Sequence, residues 1–213
     1  FVDQKIKSII EKIKSKTVTV DDQYIVGAGC KPYELGKGTP PQSRAIVDNK
    51  SYTSNRQVNK SYKILIRGAD IRRYCFKEHT DEWLSYGPWL AAPRNPDLFI
   101  GKRLLFQSIR NPKLQRRIIG TLIEGDYINN NSITNIIARN NLYSLEYILG
   151  ILNSELINWF FSVSFNIVNI DPRYLKSIRI PSLEKISNRI ICQVIEEFVN
   201  EMLKLNRQLE KTI

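Results

Sequence analysis

The sequence predicts an α+β fold in which a small, twisted, mostly antiparallel sheet packs with helices and the chain ends in a long helix. Between residues 62 and 138, short runs of β-branched and aromatic residues are separated by Gly, Pro, Asn and Asp, as strands are. After residue 143, apolar residues recur every three or four positions, which is the helical period. The 213 residues suffice to bury one core or two adjoining cores.

The first 60 residues predict a short helix followed by an irregular segment. Isoleucines at helical spacing lie between lysines, which predicts an amphipathic helix within residues 1–16. Residues 24–60 contain several glycines and the pair Pro40 and Pro41, and they show little periodicity. A long irregular segment inside a folded chain is usually functional or partly ordered by a ligand.

Four strands and two helices are predicted in the rest of the chain. The strand runs are residues 62–67, 103–109, 117–123 and 132–138. A helix over residues 143–161 is indicated by Ser144 as a helix N-cap and by the stripe Leu145, Leu149, Leu152, Leu156 and Trp159. A C-terminal helix is indicated by the stripe Ile191, Ile195, Phe198, Met202, Leu205 and Leu209, which we expect to pack.

Charge divides the chain into two unequal parts. The formal net charge is +11, and counting Lys and Arg against Asp and Glu gives +12 for residues 1–120 and −1 for residues 121–213. A basic half beside a neutral half is typical of a protein that binds a polyanion, because each neutralised phosphate releases counterions. A solvated, solubilising surface is the alternative explanation.

Motifs for catalysis, cofactors and metals are missing from the sequence. His79 is the only histidine, which excludes a two-histidine metal site, and it lies in a charged run. The glycines in GAGCKP and LGKGT fit neither a dinucleotide fingerprint nor a Walker motif. No Gly-rich cofactor strand and no Asn/Asp-Pro-Pro-Tyr/Phe motif is present. We therefore predict no catalytic residue and no metal site.

The stretch 102–117 combines an apolar strand with many cations and no acidic residue. We expect Arg110, Lys113, Arg116 and Arg117 to meet phosphates, while the amides of Gln107 and Asn130 are of the type that pairs with base edges. An unpaired amide at Gln107 would be costly among apolar residues, so we expect it to meet either a backbone group or a base edge. The asparagines at 129–131 are also typical of a turn. The full set of predicted DNA-binding residues is Lys37, Arg67, Arg72, Arg73, Arg94, Lys102, Arg103, Gln107, Arg110, Lys113, Arg116, Arg117 and Asn130.

Six segments together resemble the TaqI-like C-terminal target-recognition domain of type IIG restriction-modification enzymes. They are KPYELGKGTPPQ (31–42), LIRGADIRRY (65–74), WLSYGPWLAAPRNPDLF (83–99), RLLFQSIRNP (103–112), NNNSI (129–133) and YSLEYILGILNSELINWFF (143–161). The resemblance implies duplex DNA as partner and a parent that is a site-specific adenine-N6 DNA methyltransferase, with or without endonuclease activity. It also implies an upstream domain that binds S-adenosylmethionine, while this chain itself is non-catalytic.

The resemblance covers about residues 24–181. Together with the helical spacing at both ends, it predicts a linker helix (1–16), a target-recognition domain (17–181) and a C-terminal helix (182–213) that packs on the domain or on the first helix. No apolar run reaches the roughly 20 residues that span a bilayer, and no signal peptide pattern is present, so we expect no membrane partner and a cytoplasmic location.

Two alternatives stay open. The ending IRIPSLEKISNRI is also similar to the close of recognition domains in type I specificity subunits, so the chain is alternatively a half-module of such a subunit. In those subunits a glutamine usually stands near this point. This chain has Ser187 and Asn188 there instead, which is a departure from the type I pattern. The alternative of another class is a fragment with its own nuclease activity.

Overall fold

The computed structural model describes residues 4–15, 17–78 and 81–210, and it confirms the α+β fold. His79 lies outside the described residues. The helices are α1 Gln4–Lys14, α2 Val20–Gln23, α3 Arg44–Asp48, α4 Leu145–Asn153, α5 Glu155–Ser164, α6 Pro172–Ser177 and α7 Ile186–Glu210. The strands are β1 Thr17–Thr19, β2 Tyr24–Ala28, β3 Thr53–Ser54, β4 Tyr62–Ile66, β5 Ile71–Arg72, β6 Cys75–Phe76, β7 Trp83–Ser85, β8 Arg103–Gln107, β9 Gly120–Ile123, β10 Ile128–Asn129, β11 Ile133–Ala138 and β12 Arg179–Pro181.

The main sheet has four antiparallel strands in the order β2-β11-β8-β9. Thr134 of β11 pairs with Ala28 on one side and with Phe106 on the other, which brings the ends of β2 and β8 to the same edge of the sheet. One face of this sheet carries Leu104 and Phe106 into the largest core, where α4 and α5 contribute Leu149 and Phe161.

A second sheet, in the order β10-β4-β7-β3, lies against the other face of the main sheet. Its β10–β4 pair is parallel and its remaining pairs are antiparallel. Ile66 of β4 and Leu105 of β8 belong to one small buried cluster, which joins the two sheets. Leu84 and Phe99 lie in a separate core on the far side of the second sheet. Two-stranded pairs, β1–β12 and β5–β6, complete the strands of the described ranges.

The structure corrects two predictions of local structure. Residues 24–28 were expected to be irregular, but they form strand β2, in which Tyr24 and Val26 are buried and Ile25 is exposed. The helix predicted over 143–161 is two helices. Ser154 adopts extended backbone, and its side chain accepts a hydrogen bond from the backbone N–H of Ile157 as the N-cap of α5. The break turns Leu156 outward, where it is 54% exposed.

The C-terminal helix packs through a different face from the one predicted. Cys192, Val199 and Leu203 are buried, and Gly150 of α4 lets α7 approach so closely that an added Cβ would lie 2.7 Å from Ile195. Most of the predicted stripe is exposed instead, including Phe198 at 70% and Leu209 at 61%. Among the described helices, none has the length and apolar composition required to cross a membrane. The domain boundaries at residues 16 and 181 stay a prediction.

Two buried asparagines bind the outer edge of strand β9 and the segment before it. Asn153 of α4 pairs with the backbone N–H and carbonyl of Gly120, both at 2.9 Å. Asn158 of α5 accepts hydrogen bonds from the N–H groups of Arg117 and Ile118, both at 2.7 Å, and donates to the Ile118 carbonyl at 3.0 Å. The side-chain amides therefore take the place of a neighbouring strand, which satisfies an edge that would otherwise be unpaired.

Replacing Asn158 with Ala should lower the free energy of unfolding by roughly 2–4 kcal/mol, because the buried N–H groups of Arg117 and Ile118 lose their acceptor. Urea unfolding measures the change. The control is Asn166→Ala, which removes an exposed asparagine just beyond α5 and should change stability by less than about 0.5 kcal/mol. Equal effects of the two substitutions would contradict a structural role for the buried amide.

Candidate nucleic-acid interface

Several loops meet at the edge of the main sheet where β2 and β8 end and where β9 and β11 begin. We call this surface the loop edge and define it as residues 29–31, 67–70, 93–95, 107–117 and 129–132. Because β2, β8, β9 and β11 are rigidly paired, the loops that leave their ends are held at fixed separations. Such loops on a rigid scaffold are where binding residues are usually found.

A continuous chain of hydrogen bonds holds the loop edge together. Gly68 donates its N–H to the Ser132 hydroxyl at 2.8 Å, and the hydroxyl donates to the side-chain oxygen of Asn130. The Gln107 amide donates to the carbonyls of Gly68 at 2.6 Å and Ile71 at 2.9 Å. The segments that follow β4 and β8 and the one that precedes β11 are therefore joined by side-chain hydrogen bonds.

Close backbone contact at this edge requires glycine at position 29. A Cβ on Gly29 would lie 2.1 Å from the carbonyl oxygen of Asn130, which no side chain could tolerate without moving the backbone. The backbone N–H of Cys30 donates to the Asn129 carbonyl at 3.0 Å in the same place. Residues 29–31 are thus fixed against residues 129–132.

The loop edge is strongly basic. Its ranges contain seven lysines and arginines and one acidic residue, Asp70. Lys113 and Arg116 are exposed in the turn after β8, where the Asn111 side chain accepts a hydrogen bond from the Lys113 N–H at 2.9 Å. Arg110 is half-buried and donates to the Gln107 side chain and to the Arg116 carbonyl. Burial lowers the pKa of Arg110, and its neighbour Arg117 lowers that pKa further.

Two predicted DNA-binding arginines are buried, which corrects the prediction for both. Arg103 is 0% exposed and donates to the carbonyls of Gly101, Gly125 and Tyr127 at 2.7–3.0 Å. Burial lowers its pKa to about 10. Arg117 is 1% exposed, donates to the Ile167 carbonyl, and has a pKa that burial lowers. The Arg103 guanidinium stays protonated near pH 7. Both guanidinium groups are turned inward to backbone carbonyls, so they cannot reach a phosphate.

Other predicted cations lie away from the loop edge or already have a carboxylate partner. Arg72 pairs with Glu210 and Lys102 pairs with Glu146, both beside α7. Arg67 belongs to the loop edge, but its guanidinium pairs with Glu82, the residue before β7. Two further predicted cations lie outside the loop edge. Arg73 donates to the Asn153 carbonyl at 3.3 Å, and Lys37 is exposed in the loop before α3.

The predicted base-reading amides have partners within the chain. Gln107 bonds to two backbone carbonyls and to Arg110, and Asn130 accepts hydrogen bonds from the N–H and hydroxyl of Ser132. Asn129 is fully buried. The turn interpretation of the asparagines is therefore the one that fits Asn130, and Gln107 positions Arg110.

Sequence reasoning missed Gln42, which organises the irregular segment. Its buried side chain accepts from the Glu34 N–H at 2.9 Å and donates to the carbonyls of Pro32 and Trp89 at 2.8 Å each. A lone glutamine between prolines and serine has no sequence signal for this role. Gln42 holds the loop that carries Lys37 against the segment that leads to Arg94 at the loop edge.

Within the described ranges, no group of three or more His, Cys, Asp or Glu side chains is arranged to hold a metal ion.

Replacing Gln107 with Ala should lower the free energy of unfolding by roughly 1–3 kcal/mol, because the carbonyls of Gly68 and Ile71 lose their donor. Thermal or urea unfolding measures the loss. Lys113→Ala is the matched control on the same loop: its side chain is exposed, so stability should stay within about 0.5 kcal/mol. Gln107→Ala with unchanged stability would mean that the amide is free to bind a ligand.

Residues 63–186 match the family model of the TaqI-like C-terminal specificity domain. The structure of the type IIG restriction endonuclease BpuSI has a TM-score of 0.55 at 10% identity and covers 93% of this chain and 28% of its own. A structure from a type I restriction-modification system, solved for its complex assembly and conformational transition, has a TM-score of 0.50 at 15% identity over 97% of this chain and 46% of its own.

The HsdS subunit from Thermoanaerobacter tengcongensis has a TM-score of 0.48 at 12% identity and covers 97% of this chain and 44% of its own. At these identities the likeness concerns the fold alone. This chain spans less than half the length of each of these three solved chains. No curated protein matches the sequence.

Proposed function

The chain belongs to the family of TaqI-like C-terminal specificity domains, and we propose that its loop edge is the surface that binds duplex DNA sequence-specifically. DNA target recognition in restriction-modification is the role of a domain of this kind. The observation that carries the proposal is the charge of the loop edge, where Arg94, Lys113 and Arg116 are exposed and Arg110 is half-buried on loops fixed by paired strands. Asp70 is the one acidic residue in these ranges. A polyanion is the partner that such a surface fits.

In this proposal the exposed cations fix the protein on the duplex. Lys113 and Arg116 bind phosphates from the turn after β8. Arg116 is 3.4 Å from Glu155 on the surface, an ion pair weak enough to be exchanged for a phosphate. Gln107 orients Arg110, so that one guanidinium at the centre of the edge has a defined direction.

The proposed parent is an adenine-N6 DNA methyltransferase of the restriction-modification type, and the chain is its non-catalytic reading domain. The six motif segments support this proposal. The sequence has neither a Gly-rich cofactor strand nor an Asn/Asp-Pro-Pro-Tyr/Phe motif, so its residues do not fit S-adenosylmethionine. We therefore assign the cofactor, which supplies the methyl group, to an upstream domain. A cytoplasmic location follows as part of the same proposal.

Binding of the chain to duplex DNA should weaken steeply with salt. If about four cations of the loop edge meet phosphates, the logarithm of the association constant should fall with a slope of about −3 to −4 against the logarithm of salt concentration. Fluorescence anisotropy with a labelled duplex, between roughly 50 and 200 mM salt, measures the slope.

A pair of matched variants locates the contacts. Lys113→Ala should reduce the magnitude of the slope by about one. Lys204→Ala removes an exposed lysine of α7 and should leave the slope unchanged. A salt-independent affinity, or a larger effect of Lys204 than of Lys113, would contradict binding through the loop edge.

A second candidate is the half-module of a type I specificity subunit, and the exposed stripe of α7 favours it. A half-module requires another module beside it. Ile191, Phe198, Leu205 and Leu209 form an apolar surface along the 25-residue helix on the side that does not contact α4. A helix with apolar residues at this spacing is suited to pairing with another helix.

If the chain is such a half-module, it should associate through α7 at micromolar concentration, and Phe198→Glu should abolish the association by placing a charge in the apolar stripe. Sedimentation velocity measures the mass. Lys185→Glu, just before α7, is the control for a change of charge outside the stripe. A chain that stays monomeric at every concentration would count against the half-module.

A further inference from the structure

Arg94 has a backbone conformation that its side chain does not favour. Among the described residues, three that are not glycine have positive φ: Lys50 at 48°, Tyr74 at 62° and Arg94 at 71°. Arginine meets steric resistance in this left-handed region, and such residues persist only where the surrounding structure fixes them. Arg94 is exposed, so burial of its side chain does not offset the strain.

The backbone around Arg94 is held from both sides. The hydroxyl of Tyr86 lies 3.0 Å from the carbonyl oxygens of Pro93 and of Arg94 and can donate to either. Burial raises the pKa of Tyr86 to about 12, so this hydroxyl keeps its proton at neutral pH. Two residues before Arg94, Ala92 exchanges backbone hydrogen bonds of 2.9 Å with Lys31. Prolines at 93 and 96 further restrict the segment.

The guanidinium of Arg94 lies at the loop edge and remains available. Its Nε donates to the Gly29 carbonyl at 3.4 Å, and within the described part of the chain no carboxylate pairs with it. Gly29 is the residue packed against Asn130, so Arg94 is anchored to the centre of the loop edge. The two terminal nitrogens of the fork have no described partner.

A fixed backbone is unnecessary for binding a phosphate, because flexible lysines and arginines reach phosphates from mobile turns. It is needed where a planar fork must meet two acceptors at once, as a guanidinium does with O6 and N7 of guanine in the major groove. We propose that Arg94 reads a guanine of the target sequence and that Tyr86 is its positioning residue. This inference rests on the proposed function, since it requires the loop edge to face DNA.

The test is selection of preferred sequences from a duplex pool with a randomised centre, using the chain, Arg94→Lys, Arg94→Gly and Tyr86→Phe. The unmodified chain should select a sequence that contains a guanine. Both Arg94 variants should lose the preference for guanine at that position. The loss should be roughly tenfold to hundredfold at that one position. Arg94→Lys should keep its affinity for unrelated duplexes, because the charge is retained.

Tyr86→Phe should weaken the preference at the same base pair by a smaller factor. Affinity for unrelated DNA should not change, which separates positioning from a general loss of folding.

Arg94→Gly relieves the positive φ, so its midpoint of thermal unfolding should be no lower than that of the unmodified chain. Replacement of the selected guanine by 7-deazaguanine removes the N7 acceptor. It should therefore lower the affinity of the unmodified chain for the duplex and leave the affinity of Arg94→Gly unchanged.

Lys50→Gly is the matched control. Lys50 is also an exposed cation with positive φ, but it follows α3 and lies outside the loop edge. Lys50→Gly should select the same sequence as the unmodified chain. If both Arg94 variants also select that sequence, Arg94 does not read a base and the inference is overturned. If the unmodified chain selects no sequence at all, the proposed function itself fails, which is a different outcome from a failure of the inference about Arg94.

Discussion

The pairing of two buried side-chain amides with the edge of the main sheet is the constraint on which the loop edge depends. Asn153 and Asn158 satisfy the backbone of residues 117–120 from α4 and α5, where a further strand would otherwise be required. Since residues 117–120 end the turn that carries Lys113 and Arg116, the amides also fix one end of that turn. The same contacts join the helical core to the loop edge, the surface proposed to bind DNA.

Arginine has two physically different roles in this chain, and burial separates them. Arg103 and Arg117 have lost nearly all contact with solvent, and their fixed donors bind the carbonyls of turns that lack strand partners. An isolated buried charge is costly. Three backbone carbonyls offset that cost at Arg103, and the Ile167 carbonyl and the face of the Phe161 ring do so at Arg117. Lys113 and Arg116 remain exposed, where a cation has little desolvation penalty. A phosphate bound there gains free energy from the release of counterions. The stretch 102–117 therefore contains buried arginines that stabilise the fold and exposed cations that make the loop edge positively charged.

The sequence predicted the features that depend on local periodicity. Strands β4, β8 and β11, the N-cap at Ser144 and the long last helix follow from β-branched runs, capping chemistry and helical spacing. Strand β2 was missed because Gly27 and Gly29 look like turn residues, although each glycine makes room for a close neighbour. The packed face of α7 was misassigned because Cys192 and Val199 lie beside a more hydrophobic stripe that faces solvent.

Much of the site lay beyond sequence reasoning because it depends on long-range contacts. Burial of Arg103, the pairing of Arg72 with Glu210 and the bonds of Gln107 to Gly68 join residues far apart in the chain. Composition indicated a polyanion partner, but which cations are free to meet it is decided by the fold.

Hydrogen exchange of the chain, with and without a duplex that carries its selected sequence, tests the central claim most directly. Bound DNA shields backbone N–H groups and suppresses local opening where it makes contact. The account predicts slower exchange at residues 92–95, 108–116 and 129–132, with no change at residues 139–143 on the opposite end of the main sheet. Slower exchange confined to α7 or to residues 139–143 would contradict the loop edge as the DNA-binding surface.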